Sequence, residues 1–232
     1  MLDGLKKTPL HPQWLVARKS QDGLDAICSI LQGSVLDVGS GDRRLEKRLP
    51  PGARYIGLDY PPSGARYRTP PHVWADALRL PVRDRAFDSV ALLEVLEHLP
   101  DPQPALKEAA RVVRSKGLVI VTVPFLYPIH DAPYDFRRLT AYGIRHLASE
   151  AGLVVIELNE RGHALETAAM LTALALSEAC IRALEQRRPI ALLLLSSLLA
   201  VPFINVAGYV ASRLFPTDRF MPVGYAAVLR KP

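Results

Sequence analysis

Short apolar runs alternate with helical segments along most of the chain, and this alternation limits the fold more than any other feature of the sequence. The runs are rich in Val, Ile, Leu and Ala, which is typical of strands buried on both faces. The predicted strands are 34–38, 54–58, 87–93, 117–123, 153–158 and 224–230. Strands and helices in this order predict a doubly wound, mostly parallel α/β sheet.

Three helices are predicted around these strands, one before the first strand and two between later strands. Each has an apolar stripe at helical spacing together with a capping residue, a proline at its first position or a terminating glycine. The predicted helices are 22–32 ending at Gly33, 102–114 beginning at Asp101 and Pro102, and 141–151 beginning at Thr140.

The excess of apolar residues lies in one late segment. Hydrophobic residues make up 49% of the 232 residues and the mean hydropathy is +0.11, which is apolar for a freely soluble enzyme. The segment 163–218 begins with a helical pattern, and from Ile190 to Ser212 it contains no charged residue. We therefore predict one large α/β domain formed by 1–162 and 219–232, interrupted by an apolar helical insertion at 163–218.

A glycine-rich turn follows the first predicted strand. Asp37 is followed by Gly39, Ser40 and Gly41, and glycine lets backbone N–H groups come close to a ligand because it has no side chain. The pyrophosphate of a dinucleotide such as NAD would use the same geometry, so the turn alone does not identify the ligand. Arg43 occupies a position where the dinucleotide fingerprint favours a small residue, which disfavours a dehydrogenase.

Further acidic residues lie at the ends of the following strands. Asp59, followed by Tyr60, ends the second strand, where a carboxylate accepts hydrogen bonds from ribose hydroxyls. Asp76 offers a carboxylate to an adenine amino group, and the small Ala77 lets the ring lie close; this second acid is less expected for NAD. Glu94 lies just past the next buried strand, at the carboxyl edge where ligands of open α/β sheets bind.

The ordered combination of these segments resembles the class I S-adenosylmethionine-dependent methyltransferases, in particular the type 11 group. The resemblance covers roughly residues 30–160, and the order of the segments is also the family's. The matching segments are VLDVGSG at 35–41, GLD at 57–59, AD at 75–76, FDSVALLEVLEHLPDP at 87–102 and RVVRSKGLVIVTVP at 111–124.

This resemblance implies S-adenosyl-L-methionine as the cofactor and a Rossmann-like sheet of about seven strands whose last strand is antiparallel. It assigns the glycine-rich turn to the methionine part of the cofactor, Asp59 to the ribose and Asp76 to the adenine. Arg43 stands in place of the family's third glycine, so the turn is expected to differ in its detailed shape.

The segment after the fourth long strand concentrates titratable side chains and predicts the acceptor side of the site. The candidate catalytic residues are His130, Asp135 and Arg138, with His130 the first choice as general base and Asp135 the second. Their pattern also resembles a subgroup of bacterial methyltransferase-like proteins, many of which resemble enzymes of cell-surface glycan assembly. The alternative is that Asp135 and Arg138 form a structural ion pair. For His98 we expect a hydrogen bond to a backbone carbonyl rather than a catalytic role.

The uncharged stretch 190–212 is long enough to cross a bilayer. However, if 153–158 and 224–230 are neighbouring strands, both ends of the insertion lie on one side of a membrane, which excludes a single span. The remaining alternatives are a hairpin, a re-entrant or interfacial helix pair bent near Pro202, and a helical cap or dimer interface buried by protein. The interfacial pair is preferred because arginines flank the run. These are Arg182, Arg187, Arg188, Arg213 and Arg219.

Taken together, the sequence predicts a methyltransferase that O-methylates a membrane-associated or lipid-linked acceptor of saccharide or isoprenoid type. The expected location is the cytoplasm, peripheral or monotopic on the inner face of the membrane. The alternatives are a soluble small-molecule methyltransferase and a protein that binds the cofactor without turnover.

The net charge of +6 permits a nucleic-acid partner, but no base-binding motif supports one. The two cysteines, Cys28 and Cys180, indicate neither a disulfide framework nor a zinc site, and no metal is predicted.

Overall fold

The computed structural model describes residues 2–64, 66–188, 198–217 and 220–232. Its centre is a seven-stranded sheet with the strand order β3-β2-β1-β4-β5-β7-β6. The strands are β1 Ser34–Val38, β2 Arg54–Asp59, β3 Val73–Trp74, β4 Phe87–Leu93, β5 Val113–Pro124, β6 Val154–Arg161 and β7 Gly224–Arg230.

The sheet pairing confirms the predicted fold class. The pairs β1–β2, β1–β4, β2–β3 and β4–β5 are parallel, whereas β7 runs antiparallel to β5. Strands β6 and β7 are neighbours, as expected for the strands that flank the insertion. The strand order reverses direction beside β1, and the carboxyl ends of β1, β2 and β4 meet at one edge, where open α/β sheets bind ligands.

Seven α-helices are described. They are α1 Leu2–Leu5, α2 Trp14–Ile30, α3 Pro61–Gly64, α4 Gln103–Val112, α5 Ala141–Glu150, α6 Ala164–Glu185 and α7 Ala200–Leu214. The predicted cap of α5 is confirmed, because the Thr140 hydroxyl accepts a hydrogen bond from the Gly143 N–H at 3.1 Å.

The boundaries of α2 and α4 differ from the prediction. Helix α2 spans Trp14–Ile30 rather than 22–32, so it begins eight residues earlier. At the start of α4 the capping position belongs to Pro102, while the Asp101 carboxylate accepts a hydrogen bond from the Gln103 N–H at 3.0 Å. At its end, the helix stops at Val112 and β5 begins at Val113, because Val113 already pairs with Phe87 in the sheet. Tertiary strand pairing therefore overrides the helical pattern of the intervening residues.

The contacts divide the chain into two compact units, and the first contains the sheet. This sheet unit comprises Leu24–Phe125, Ile129–Glu160 and Gly224–Pro232. Its core consists of fully buried aliphatic side chains on the central strands and on α4, which is why these strands carry apolar residues on both faces. Examples are Leu36, Leu58, Val90, Leu106 and Val121.

The second unit, here called the helical unit, comprises Met1–Gly23, Leu126–Pro128 and Arg161–Val223. Within it, α6 lies against α7, and the buried Asn205 amide donates hydrogen bonds to the Pro9 and His11 carbonyls. Pro202 lies in the first turn of α7, a position that tolerates proline, so α7 is not interrupted there. Residues 190–197 of the predicted apolar run, and Arg219, lie outside the described residues.

Close approach of α7 to α6 depends on Gly208. A methyl group at Gly208 would place its Cβ 2.4 Å from the Cβ of Ala169 and 3.3 Å from the Leu165 carbonyl oxygen. Both contacts are shorter than van der Waals separation, and neither partner is a flexible side-chain end. Glycine at this position therefore sets the distance between the two helices.

We predict opposite effects for the same substitution at two helical glycines. Gly208→Ala should lower the free energy of unfolding by roughly 1–3 kcal/mol because of overpacking. Gly23→Ala in α2, where a Cβ would meet nothing within 4 Å, should raise it by about 0.5–1 kcal/mol. Urea unfolding followed by circular dichroism measures both, and equal stabilisation by both variants would contradict the close contact.

Candidate functional site

A cavity of about 370 Å³ opens at the carboxyl edge of the sheet, entirely within the sheet unit. It is formed by the residues that follow β1, β2, β3 and β4 and by the loop after β5. Of the nine predicted cofactor-binding residues, the cavity wall contains Gly39, Asp59, Tyr60, Asp76, Ala77 and Glu94. Four strand ends that lie far apart in the sequence thus converge on one ligand-sized space.

The backbone of Gly39 forms the floor of this cavity. Its φ is +74°, and its N–H donates a hydrogen bond to the Leu58 carbonyl at 2.8 Å, which ties the turn to β2. A Cβ at Gly39 would lie 2.5 Å from the Val95 side chain, which also lines the cavity. A larger residue would therefore force a side chain into the ligand space, as expected for a turn that a ligand approaches closely.

Asp59 fixes the turn from the end of β2. Its Oδ2 accepts a hydrogen bond from the Gly41 N–H at 2.8 Å, and its Oδ1 accepts one from the Tyr60 N–H at 2.8 Å. The carboxylate is buried and rigidly oriented at the cavity wall. Because each carboxylate oxygen can accept a second hydrogen bond, Asp59 retains acceptor capacity for a ligand hydroxyl.

Arg43 preserves the turn although it replaces the family's glycine. Its φ of +52° lies in the left-handed region that glycine adopts most readily. Its guanidinium is held by the His72 ring, with Nη1 and Nε2 2.8 Å apart, and by Glu46 at 3.5 Å. The backbone therefore keeps a glycine-like conformation, and these contacts fix the long side chain.

The residues that follow β3 and β4 present two further carboxylates at the cavity wall. Asp76 is exposed, and its Oδ1 accepts a hydrogen bond from the Leu78 N–H at 2.9 Å, while Ala77 beside it is buried. Glu94 has a φ of +55°, and its N–H donates to the Thr122 carbonyl at 2.9 Å. Both acidic residues line the cavity, as the sequence predicts for cofactor-binding positions.

Asp37, Ser40 and Gly41 support the turn without lining the cavity. The Asp37 carboxylate is buried and accepts a hydrogen bond from the Tyr55 hydroxyl at 2.7 Å. Burial raises the pKa of Asp37 to about 7; the bond from Tyr55 opposes this rise and the charge of Asp59 adds to it. Ser40 Oγ is buried without a hydrogen-bond partner in the part of the chain that the structure describes.

The predicted acceptor-side residues come together at the edge of the cavity. The Asp135 carboxylate accepts hydrogen bonds from both Arg138 Nη atoms, at 2.5 and 2.8 Å, and from the His130 N–H at 2.9 Å. These bonds, chiefly those from Arg138, hold the pKa of the Asp135 carboxyl well below its usual range, which opposes its use as a base. None of the three lines the cavity itself, and the catalytic roles of His130, Asp135 and Arg138 stay predictions.

Glu97 is the site residue that sequence reasoning missed. Its side chain is only 1% exposed, and burial, reinforced by the charge of Glu94, raises the pKa of its carboxyl well above the usual range. The neighbouring His98 lines the cavity, and its Nδ1 lies 2.7 Å from the Tyr134 carbonyl, which confirms the predicted backbone contact. A buried acid beside a cavity has no local sequence signal, because its burial depends on the loop that covers it.

Comparison with known proteins adds independent information. Residues 36–121 match the family model described as a methyltransferase domain, and this range contains the turn and every acid of the cavity wall up to Glu94. Over this range the chain is similar to the S-adenosylmethionine-dependent methyltransferases. The acids at the strand ends and the open floor at Gly39 fit that family's cofactor, because they offer acceptors for hydroxyl and amino groups beside a bare backbone.

Two curated relatives illustrate how far this similarity extends. The "Probable S-adenosylmethionine-dependent methyltransferase" of Mycobacterium tuberculosis (strain H37Rv) is 30% identical over 136 residues, covering 53% of this chain and 50% of the relative. The "Ubiquinone biosynthesis O-methyltransferase" of Nitrosomonas europaea is 28% identical over 162 residues, covering 56% of this chain and 67% of the relative. The alignment thus spans half the length of the mycobacterial relative.

Solved structures show the same fold. The crystal structure of the [4+2]-cyclase SpnF superimposes with a TM-score of 0.54 at 17% identity, covering 92% of this chain and 81% of that one. The likeness concerns the fold alone, because a shared fold carries different chemistries on different proteins.

The buried Asp37 of this methyltransferase turn predicts a pH-dependent stability. Since the folded state favours protonated Asp37, the free energy of unfolding should fall as the pH rises from about 4 to about 7, by at most about 4 kcal/mol. Asp37→Asn keeps an acceptor for Tyr55 and should remove the part of this slope that Asp37 contributes, leaving the part that the buried Glu97 contributes. Chemical denaturation across this pH range measures it, with the exposed Asp101→Asn as the control that retains the wild-type profile.

Proposed function

We propose that the protein transfers a methyl group from S-adenosylmethionine to a hydroxyl of a membrane-associated or lipid-linked acceptor, of saccharide or isoprenoid type, at the cytoplasmic membrane surface. The observation that carries the cofactor half is the convergence of Gly39, Asp59 and Asp76 on one cavity. The observation that carries the acceptor half is an exposed apolar stripe on α7. The two halves are supported separately and can be tested separately.

The cofactor half follows from the chemistry of the cavity wall. S-adenosylmethionine supplies a methyl group bonded to a sulfonium sulfur, which leaves readily. Asp59 is suited to accept hydrogen bonds from ribose hydroxyls, and Asp76 to accept one from an adenine amino group beside the small Ala77. Because the turn positions these groups before a ligand arrives, the protein's main contributions are binding and orientation.

The acceptor side of the cavity is formed by His98 and by the loop after β5, with Tyr134 and Phe136 in its wall. His130 is the predicted base, and its Nδ1 lies 3.3 Å from Asp135 Oδ2, which orients the ring. The pair of Asp135 and Arg138 acts as the support of this ring rather than as a second base.

An apolar stripe on α7 supports membrane association. Its side chains recur at helical spacing, and all are exposed, from Val206 at 43% to Phe203 at 76%. A row of this kind on one helix face is typical of a surface that contacts lipid or another apolar partner. The members of the stripe are Leu199, Phe203, Val206, Val210 and Leu214.

The ends of the insertion favour an interfacial arrangement over a single crossing. The Val223 N–H donates a hydrogen bond to the Arg161 carbonyl at 2.9 Å, so the chain leaves and re-enters the sheet region at adjacent backbone positions. By length and composition, α6 is the one helix among the described residues that could cross a bilayer, and core helices of soluble proteins have the same properties. Exposed Arg187, Arg188 and Arg213 add cations suited to anionic head groups.

Names of relatives add modest support for an apolar acceptor. The Nitrosomonas relative is named for ubiquinone biosynthesis and for O-methylation, and ubiquinone carries an isoprenoid tail. The second candidate is a soluble small-molecule acceptor, which is favoured by the fact that the cavity lies entirely within the sheet unit and not in the helical unit.

We predict that the wild-type chain binds S-adenosylmethionine and prefers it to NAD, as measured by calorimetry. Asp59→Asn should weaken binding roughly 10- to 100-fold, because charge-assisted hydrogen bonds are lost and an amide N–H₂ would face the Gly41 or Tyr60 N–H. Asp25→Asn, at an exposed surface pair with Arg48, is the matched control and should bind normally. Preference for NAD, or no binding at millimolar cofactor, would refute the proposal.

We also predict that the protein cosediments with vesicles containing phosphatidylglycerol and less with pure phosphatidylcholine. Phe203→Glu should weaken binding roughly 10- to 100-fold, because a buried aromatic side chain contributes about 1.5–3 kcal/mol. Tyr142→Glu replaces a side chain that is 84% exposed on the sheet unit and should leave vesicle binding unchanged.

Methyl transfer distinguishes the two acceptor classes. With methyl-labelled cofactor and a bacterial extract, label recovered in the organic phase supports the lipid-linked acceptor, and label confined to the aqueous phase supports a soluble one. Equal vesicle binding by wild type and Phe203→Glu would remove the support that α7 gives to the membrane proposal.

A further inference from the structure

We propose that Glu97, His98 and His130 bind one divalent transition-metal ion at the edge of the cavity. One ligand atom from each of the three side chains lies within 4.8 Å of the others, and all three residues belong to the sheet unit. His98 and His130 are in edge-to-face contact, with ring centroids 5.0 Å apart. Neither the cysteine count nor the spacing of ligands along the sequence predicts this group.

The tautomer of His98 directs a lone pair toward Glu97. Its Nδ1 lies 2.7 Å from the Tyr134 carbonyl oxygen, and a carbonyl only accepts hydrogen bonds, so Nδ1 must carry a proton. In the neutral ring Nε2 is then unprotonated, and it lies 3.8 Å from Glu97 Oε1. A histidine that donates from one nitrogen to a carbonyl and offers the other as a ligand is the usual arrangement in metal sites.

His130 repeats this arrangement with a different acceptor. Its Nδ1 lies 3.3 Å from Oδ2 of Asp135, whose ionised form is fixed by Arg138, so a proton on Nδ1 is favoured. Its Nε2 lies 4.0 Å from Glu97 Oε1. Asp135 thus contacts one nitrogen of His130 while the other nitrogen faces the proposed ion, as in the carboxylate–histidine–zinc triads of known metal sites.

Glu97 is the third proposed metal ligand, and its carboxyl group is buried. Its side chain is 1% exposed, and neither of its oxygens has a hydrogen-bond partner among residues 2–64, 66–188, 198–217 and 220–232. Three electron-pair donors thus face one another at distances too long for hydrogen bonds. Tetrahedral ligands that each lie about 2.0–2.1 Å from a zinc ion are about 3.4 Å apart, so a cation between these atoms would draw the pairs at 3.8 and 4.0 Å together by roughly 0.5 Å.

The donor set selects the class of ion. Two imidazole nitrogens and one carboxylate suit zinc and neighbouring transition metals rather than magnesium or calcium, which prefer oxygen. Three protein ligands leave a position open for water or substrate. The charges of the site also suit a bound cation. Arg138 neutralises Asp135, so the Glu97 carboxylate is the group that would compensate part of the ion's charge.

The position of His98 in the cavity wall connects this ion to the acceptor. This consequence, unlike metal binding itself, rests on the proposed methyl transfer. An acceptor hydroxyl that takes the open position would be more acidic: its O–H bond breaks, the proton passes to water, and the electron pair stays on the coordinated oxygen. His130 would then act as a ligand through Nε2, which excludes its use of the same atom as a base.

The test is metal binding by the 232-residue chain without S-adenosylmethionine. After chelator treatment, we expect calorimetry to show one Zn²⁺ per chain, and Co²⁺ to give the visible absorption of a histidine-ligated site. Glu97→Gln and His98→Ala should each weaken Zn²⁺ binding by about a hundredfold or more, since even indirect supports of metal ligands contribute about 10- to 100-fold. His146→Ala, at an exposed position on α5, is the matched control.

Two readouts keep this test decisive. Zn²⁺ should raise the melting temperature of the wild type and of His146→Ala but not of Glu97→Gln, which also shows whether each variant is folded. Zn²⁺ binding that persists in both Glu97→Gln and His98→Ala would indicate surface binding and overturn the proposal. Absence of Zn²⁺ and Co²⁺ binding by the wild type would also overturn it, whereas loss of cofactor binding would bear only on the proposed function.

Discussion

The hydrogen bonds accepted by Asp59 are the interaction on which the cofactor side of the structure depends. One carboxylate oxygen holds the Gly41 N–H and the other holds the Tyr60 N–H, so a single side chain joins the turn after β1 to the end of β2. The parallel register of β1 and β2 brings these elements to the same edge. The cavity therefore has its shape before any ligand enters, and ligand binding does not have to order the turn.

The features that the sequence predicts well are those with local causes. Buried strands are recognisable because both of their faces must be apolar, and the acids at their ends are recognisable because parallel strands end at one edge. The cap at Thr140 depends only on a hydroxyl three residues before its partner. Strand β3 was missed because it has only two residues, both exposed and next to a proline-rich loop.

The features that sequence reasoning could not supply depend on tertiary contacts. Glu97 looks like a surface acid in the sequence, yet it is buried, and the loop after β5 folds back onto it: the Phe136 N–H donates to the Glu97 carbonyl at 2.9 Å. Likewise, Arg43 looks like a departure from the family pattern, yet its positive φ keeps the backbone close to what glycine would give. Residue identity therefore predicts side-chain chemistry better than backbone shape or burial.

The hydrogen bond from Val223 to Arg161 closes the insertion at its base. Two strands that are neighbours in the sheet can accept a connection of almost any length, since the entropic cost of a loop grows only slowly with its length. The segment between β6 and β7 is thus free to diverge in size and polarity while the strand ends that form the cavity stay unchanged. Within this fold, the helical insertion and the cavity at the strand ends can therefore change independently of each other.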